Sequence, residues 1–348
     1  MMKDIHDREL KVLRLSLTNK CNFSCPYCLP ENNSCLTTLT NKQFLSIIKV
    51  ACKLGVSSLR LTGGEPLISS QLNKLMEAIN TLKKTRNHPI NNLKDIAITT
   101  NGSLLTKDRC QDLFAYGLNR ITVSLDALDP KIFSIMTGDN NMISAKNKLN
   151  HVLQGIDNAI QAGFDPLEGQ LKINCVIKKN INDNQIINLV RFAKAKSIEI
   201  RFIEYMDVGN KNNWQANEVL KSHELISIIK QHFKINEAGR LKGNTAHKWY
   251  MKDSNSFIST ISSISNPFCS DCNRLRITSD GFAHTCLFSN NGSDLKKWLN
   301  PSINEKGLEE FLETIWLIRD DKYSENRFDK SENSKPQKPH PSMSYLGG

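Results

Sequence analysis

From about residue 10 to residue 210, short runs of aliphatic and β-branched residues alternate with longer stretches whose apolar positions recur every three or four residues. The runs at 12–17, 58–62, 95–99, 120–125, 171–177 and 199–205 have the length and composition of strands. Between them, 41–54, 71–83, 147–162 and 184–196 read as amphipathic helices, the first closed by Gly55 and the third by Gly163. Strand, helix and strand repeated in this way predict a parallel sheet with right-handed crossovers. Six strands are too few to close an eight-stranded barrel. An α/β fold is therefore expected, an incomplete barrel of six β/α units filling residues 1–210.

Beyond residue 210 the alternation stops. One helix is expected at 223–233, followed by a strand-like stretch over 247–288 with turns at Lys252-Asp253-Ser254-Asn255 and Ser279-Asp280-Gly281. Residues 211–334 thus read as a C-terminal α+β domain. The run Lys335-Pro336-Gln337-Lys338-Pro339-His340-Pro341 is stiff and poorly packing, so 335–348 is expected to be a flexible tail, ending in Gly347-Gly348.

Chemically unusual residues sit at the strand ends. Thr18 to Cys28 follow the first strand, Gly63-Gly64-Glu65-Pro66 the second, Thr100-Asn101-Gly102 the third, Asp126-Ala127 the fourth and Met206-Asp207-Val208-Gly209 the sixth. Parallel α/β barrels gather their active sites at the carboxyl ends of strands, so these motifs should meet in space. A dinucleotide fold is excluded, because the paired glycines lack the G-x-G-x-x-G spacing.

Six of the ten cysteines fall into two tight groups, Cys21/Cys25/Cys28 and Cys269/Cys272/Cys286, and the others are scattered as small buried hydrophobes. No N-terminal apolar stretch reads as a signal peptide, and no segment approaches the ~18 apolar residues of a membrane span. A reducing cytoplasm, with thiols available to metal, is the expectation. The net charge of +11 fits nucleic acid, an acidic surface or a polyanionic small molecule, and does not choose among them.

A run of three thiolates leaves one iron of a cubane cluster open to a further ligand. Zinc is the alternative at each group. The first lacks a second cysteine pair, and at the second His284 and Cys286 would lie on one face of a strand, which strains a tetrahedron.

The C-x3-C-x2-C run with Tyr27 before its last cysteine, and the GGEP element after the second strand, resemble the radical SAM superfamily. Adding Cys269-Ser270-Asp271-Cys272-Asn273-Arg274-Leu275-Arg276, Cys286, Ile200-Arg201-Phe202-Ile203-Glu204-Tyr205-Met206 and the terminal double glycine, the chain resembles the GTP 3′,8-cyclase family over nearly its full length. That resemblance implies two [4Fe-4S] clusters, on Cys21, Cys25 and Cys28 and on Cys269, Cys272 and Cys286. It implies S-adenosylmethionine (SAM) held by Tyr27, Gly63, Gly64, Glu65, Ser124 and Met206. It implies GTP held by Arg14, Arg60, Thr99 with Thr100 beside it, Lys172, Arg201, Arg274 and Arg276, with Gly347 and Gly348 entering the active site. Hydrogen abstraction from C3′ of the ribose, closure onto C8 of guanine, and reduction and protonation of the resulting aminyl radical would give 3′,8-cyclo-7,8-dihydro-GTP, the first step of molybdenum cofactor biosynthesis. The partners implied are a flavodoxin- or ferredoxin-type reductant and the downstream cyclic pyranopterin monophosphate synthase, with the chain a monomer or homodimer.

The residues support this independently. Arg14 and Arg60 alternate into the barrel if Leu13, Leu15, Leu59 and Leu61 face outward, and arginine's planar fork grips phosphate oxygens in pairs. Two other readings compete. A peptide-modifying maturase would carry more auxiliary cysteines. An RNA-binding metal module would need exposed aromatics among its lysines, whereas aromatics make up only 7% of the chain and sit mostly in apolar runs; no nucleic-acid or membrane partner is expected.

Overall fold

Alternate residues of the first two strands face opposite environments, and this sets the architecture. In β1 (Val12–Ser16) and β2 (Ser58–Thr62) the leucines Leu13, Leu15, Leu59 and Leu61 are fully buried in the layer between sheet and helices. Arg14 and Arg60 project from the other face into the barrel interior. A computed structural model of the chain describes residues 2–28, 38–208, 213–327 and 341–347.

The parallel series continues through β3 (Asp95–Thr100), β4 (Arg120–Ser124), β5 (Leu171–Ile177) and β6 (Glu199–Glu204). Its crossovers carry α1 (Asn41–Lys53), α2 (Leu72–Lys83), α3 (Lys107–Ala115), α4 (Pro130–Thr137), α5 (Met142–Gln161) and α6 (Ile186–Ala195). The helix starts follow capping chemistry. Thr40 and Gln43 form a reciprocal capping box at α1. At α5 the Asn141 side chain accepts from the N–H groups of Ile143 and Ser144, so the helix begins five residues before the apolar periodicity alone predicts.

The C-terminal half supplies α7 (Ser222–Lys230), β7 (Ile235–Gly239), β8 (His247–Met251), β9 (Ser256–Ile261), β10 (Arg274–Ile277), β11 (Phe282–His284), β12 (Ser293–Asp294), α8 (Lys296–Leu299), α9 (Glu305–Leu317) and α10 (Met343–Leu346). The sheet does not stop at the expected domain boundary. β10 pairs in parallel with β1, and β9 pairs in parallel with β6, so eight parallel strands stand side by side. β9 and β10 do not pair with each other, and the barrel stays open. The segment joining them, 262–273, carries Cys269 and Cys272 across that open side. Beyond these edges β7 and β8 extend the sheet antiparallel on one side, and β11 and β12 on the other.

α9 joins the outer helix layer, where Glu305 and Glu309 pair with Lys49 and Lys53 of α1 at 2.7 and 2.8 Å. Its Trp316 is fully buried and donates to the Arg8 carbonyl at 3.1 Å. The expected flexible tail needs correction over its described part. Residues 341–347 form one helical turn with Ser344 and Leu346 buried, because the barrel mouth offers them polar and apolar partners. No described helix is long and apolar enough to cross a membrane.

Candidate active site

The first cysteine group is bolted to the GGEP turn. Gly64 N–H donates to the Thr18 carbonyl and Glu65 N–H to the Lys20 carbonyl, each at 2.8 Å. A Cβ on Gly63 would overlap the Thr18 carbonyl, and one on Gly64 the Lys20 carbonyl, so only glycines let the two backbones lie this close. Glu65 is buried. Its Oε1 accepts from the Thr100 hydroxyl at 2.7 Å and Leu67 N–H at 3.0 Å, and its Oε2 from Asn101 N–H at 2.7 Å. Burial pushes its carboxyl up to about 7 against those three donors. Asn101 also reaches Asn22 at 2.7 Å and the Cys21 sulfur at 3.9 Å.

On the other side of the cysteine loop, Tyr27 donates its hydroxyl to Asp126 at 2.6 Å, and Asp126 takes Val176 N–H at 2.8 Å. Asp126 is lifted to about 6 by burial, with both hydrogen bonds opposing. Ser124 stands opposite Asn174 in the β4–β5 register. Burial also raises the Cys21, Cys25 and Cys28 thiols, Cys28 to about 12, and the hydrogen bonds it receives from Ser344 of α10 oppose the rise.

The barrel interior is a floor of cations. Arg276, Arg14 and Arg60 are register partners on β10, β1 and β2, so three guanidinium groups stand in a row. Arg60 is pulled down to about 9 by burial and by repulsion from Arg120 and Arg201. Glu199 is the counterion. It pairs with Lys172 at 2.8 Å, Arg201 at 2.7 Å and Lys248 at 3.5 Å, and accepts from the Ser259 hydroxyl at 2.9 Å. Arg120 pairs with Asp95 at 2.6 Å.

One cavity holds Arg120, Lys172 and Lys248. A second holds Thr99, Asn174, Met206 and all three cysteines of the C-terminal group. Arg14, Arg60, Arg201 and Arg274 line both, so the basic floor opens directly onto the cysteine chamber. The Thr99 hydroxyl and the Asn174 side-chain amide oxygen are buried there without hydrogen-bond partners. Thr100 faces away and is spent on Glu65.

In the second group Arg274 donates to the Cys272 sulfur at 3.4 Å and to the Gly243 carbonyl at 2.9 Å. Burial would raise the Cys272 thiol, but the charges of Arg274 and Arg319 outweigh it and bring the group down to about 7. Burial, with the charge of Asp321 adding to it, takes Cys286 to about 12. His284 packs edge-on against Tyr345, ring centroids 6.3 Å apart, and a Cβ on Gly292 would overlap its Nε2. Among the described residues no three His, Cys, Asp or Glu side chains are drawn in tightly enough for a single metal ion, and no cysteine is in a disulfide. Cys21, Cys25 and Cys28, and Cys269, Cys272 and Cys286, are thus two sets of three free thiols.

The tail completes the chamber. Gly347 presents its carbonyl to Arg14 Nε at 2.8 Å and to Arg276 at 3.2 Å, and Tyr345 donates to Asp280 at 3.1 Å. Gly348 lies outside the described residues, as do Cys35 and Gly209.

Residues 15–193 match the family model described as Radical SAM superfamily, and residues 198–325 the one described as Molybdenum Cofactor Synthesis C. Proteins named GTP 3′,8-cyclase match end to end. That of Parasynechococcus marenigrum (strain WH8102) is 44% identical over 345 residues, covering 99% of this chain and 98% of its own. The chain belongs to the GTP 3′,8-cyclase family of the radical SAM superfamily. The family member of Staphylococcus epidermidis (strain ATCC 12228 / FDA PCI 1200) is 38% identical over 359 residues, covering 100% of this chain and 99% of its own. Among solved structures, Streptococcus suis SuiB bound to precursor peptide SuiA superposes with a TM-score of 0.63 at 19% identity, over 94% of this chain and 70% of SuiB. That likeness speaks to the fold alone.

For this member of the family, the sequence places Asp126 after the fourth strand without indicating a partner, and it gives no sign of Glu199, Arg120 and Lys248. Glu199 and Arg120 open their strands, where charge reads as solvated. Lys248 lies on β8, whose position beside β9 and next to β6 no local pattern announces.

Proposed function

We propose that the chain cyclises GTP to 3′,8-cyclo-7,8-dihydro-GTP, using SAM and an iron–sulfur cluster, as the first step of molybdenum cofactor biosynthesis. The observation that carries this reading is the shared wall of the two cavities. A basic floor that opens onto a chamber with two unpartnered polar side chains suits a molecule with a polyanion at one end and a heterocycle at the other. GTP has that shape.

Cys21, Cys25 and Cys28 would hold a [4Fe-4S] cluster whose open iron takes SAM, and this group supplies the reductive cleavage that starts the reaction. Gly63 and Gly64 bring backbone polar groups up to the cysteine loop, where SAM's amino group would lie. Three of the roughly four lone-pair sites of Glu65 are used, leaving one on Oε2 for that ammonium, whose charge would favour the ionised carboxylate. Tyr27, held by Asp126, and Ser124 and Met206 would bound the rest of SAM. Cys269, Cys272 and Cys286 would hold a second cluster facing the guanine.

Arg14, Arg60, Lys172, Arg201 and Arg274 would grip the phosphates, with Glu199 keeping Lys172 and Arg201 in place before substrate arrives. The Thr99 hydroxyl is aimed at the sugar or base. Arg276 and the Gly347 carbonyl close the chamber and exclude water, and fixing C3′ against C8 is the protein's main contribution. A small reductant protein would deliver the electrons, and a synthase would consume the product. Anaerobic reconstitution with an iron count and a GTP turnover assay tests the reading. Full iron loading with no consumption of GTP would refute it.

A further inference from the structure

The second cysteine group rests on a buried charge network that the reaction does not use. Asp4, Arg8 and Arg319 have side chains 0%, 1% and 1% exposed. Asp4 pairs with Arg8 at 2.5 Å and with Arg319 at 3.3 Å. Arg8 donates to the Cys269 carbonyl at 3.0 Å and the Asp321 carbonyl at 2.7 Å. Arg319 donates to the Cys272 carbonyl at 2.7 Å, stacks on Trp316 with its guanidinium carbon 4.6 Å from the ring centroid, and lines the cysteine chamber.

Asp4 is shared by both cations, and Arg319 has the partly exposed Asp321 carboxylate as a second counterion, so the buried ions are compensated. Nε of Arg319 is buried with no hydrogen-bond partner, an Asp321 oxygen lying 3.5 Å away. A thiolate-rich centre in the same chamber would place further negative charge within reach of this guanidinium.

We propose that Arg319 is a positioning residue of the second site: Asp4 and Arg8 hold its guanidinium against Cys272, where it stabilises the added negative charge of a reduced cluster. The inference rests on the reading of Cys269, Cys272 and Cys286 as cluster ligands. Hydrogen bonds to the sulfurs and local charge set the reduction potential of such clusters. Arg319 therefore makes the second cluster easier to reduce.

The test uses the full chain with Cys21, Cys25 and Cys28 replaced by alanine, so that only the second site loads, reconstituted anaerobically and titrated by electron paramagnetic resonance. The parent should hold about four irons. R319Q should hold the same iron and show a more negative midpoint potential, and R319K, which keeps the charge without the planar fork, should fall between the two. If R319Q fails to load, R319K decides, with a potential below the parent expected. A variant that keeps its iron at the parent's potential overturns the role of Arg319 alone. A parent with no iron, or with zinc, overturns the cluster reading and the inference with it.

Discussion

Arg14 donates a 2.8 Å hydrogen bond to the carbonyl of Gly347, 333 residues farther along the chain. The same carbonyl accepts from Arg276, the register partner of Arg14 on the neighbouring strand. The tail is thus tied to Arg14, proposed to grip the phosphates, and to Arg276, proposed to close the chamber. Gly347 has φ +65°, and a Cβ there would overlap Thr62 Cγ2. The left-handed conformation costs an alanine about 1–2 kcal/mol, and overpacking adds about 1–3 kcal/mol. G347A should therefore release the tail from the chamber and so relieve the strain, lowering GTP cyclisation by at least about tenfold with iron content and melting temperature unchanged. Wild-type turnover in G347A would show that the tail is not needed in the chamber.

Replacing Arg60 or Lys172 by alanine should weaken GTP binding by about 1.5–3 kcal/mol each, the range for hydrogen bonds to charged groups. Guanosine should bind far more weakly than GTP to the unaltered protein. Calorimetry that gave the two ligands equal affinity would remove the cationic floor from substrate binding.

Lys172 has a pH signature of its own. Burial, then repulsion from Arg201, pull its ammonium down to about 8, with Glu199 opposing. A lysine with a depressed value loses its proton as pH rises through that value, so its hold on phosphate is present below pH 8 and lost above it. GTP affinity should fall between about pH 7 and pH 9. K172R stays protonated throughout and should remove most of that fall. An identical pH profile in K172R would assign the titration to another group.

Replacing Cys269, Cys272 and Cys286 together by alanine should leave a protein with about four irons that still cleaves SAM but forms no cyclised product. Zinc bound at these cysteines in the unaltered protein after anaerobic reconstitution would mark the group as structural.

Much of this was legible in the chain because the barrel is built from local repeats. The runs at 58–62 and 171–177 match β2 and β5, and the other four strands differ from their expected ends by one residue. Period-two alternation around Arg14 and Arg60 put both arginines inside. Long-range relations were not legible. Nothing in Arg274–Ile277 or Ser256–Ile261 says that these strands pair with β1 and β6, since edge pairing is decided by the whole sheet. Asp4 and Arg8 precede every motif, and the contacts of Arg8 with Cys269 and Asp321 and of Asp4 with Arg319 lie across more than half the sequence. The tail misled in the opposite direction. Its proline-rich approach reads as loose, while Ser344 and Leu346 are buried at the barrel mouth. Thr99 and Thr100 were separable only once the structure turned one hydroxyl to the chamber and the other to Glu65.

The most direct measurement follows a labelled hydrogen. Reconstituted anaerobically and supplied with SAM, a reductant and GTP deuterated at C3′, the protein should transfer deuterium to 5′-deoxyadenosine and form 3′,8-cyclo-7,8-dihydro-GTP in equal amount. Replacing Cys21, Cys25 or Cys28 by alanine should abolish both. Unlabelled 5′-deoxyadenosine with GTP recovered intact would contradict the assignment of GTP as the molecule this barrel holds and cyclises.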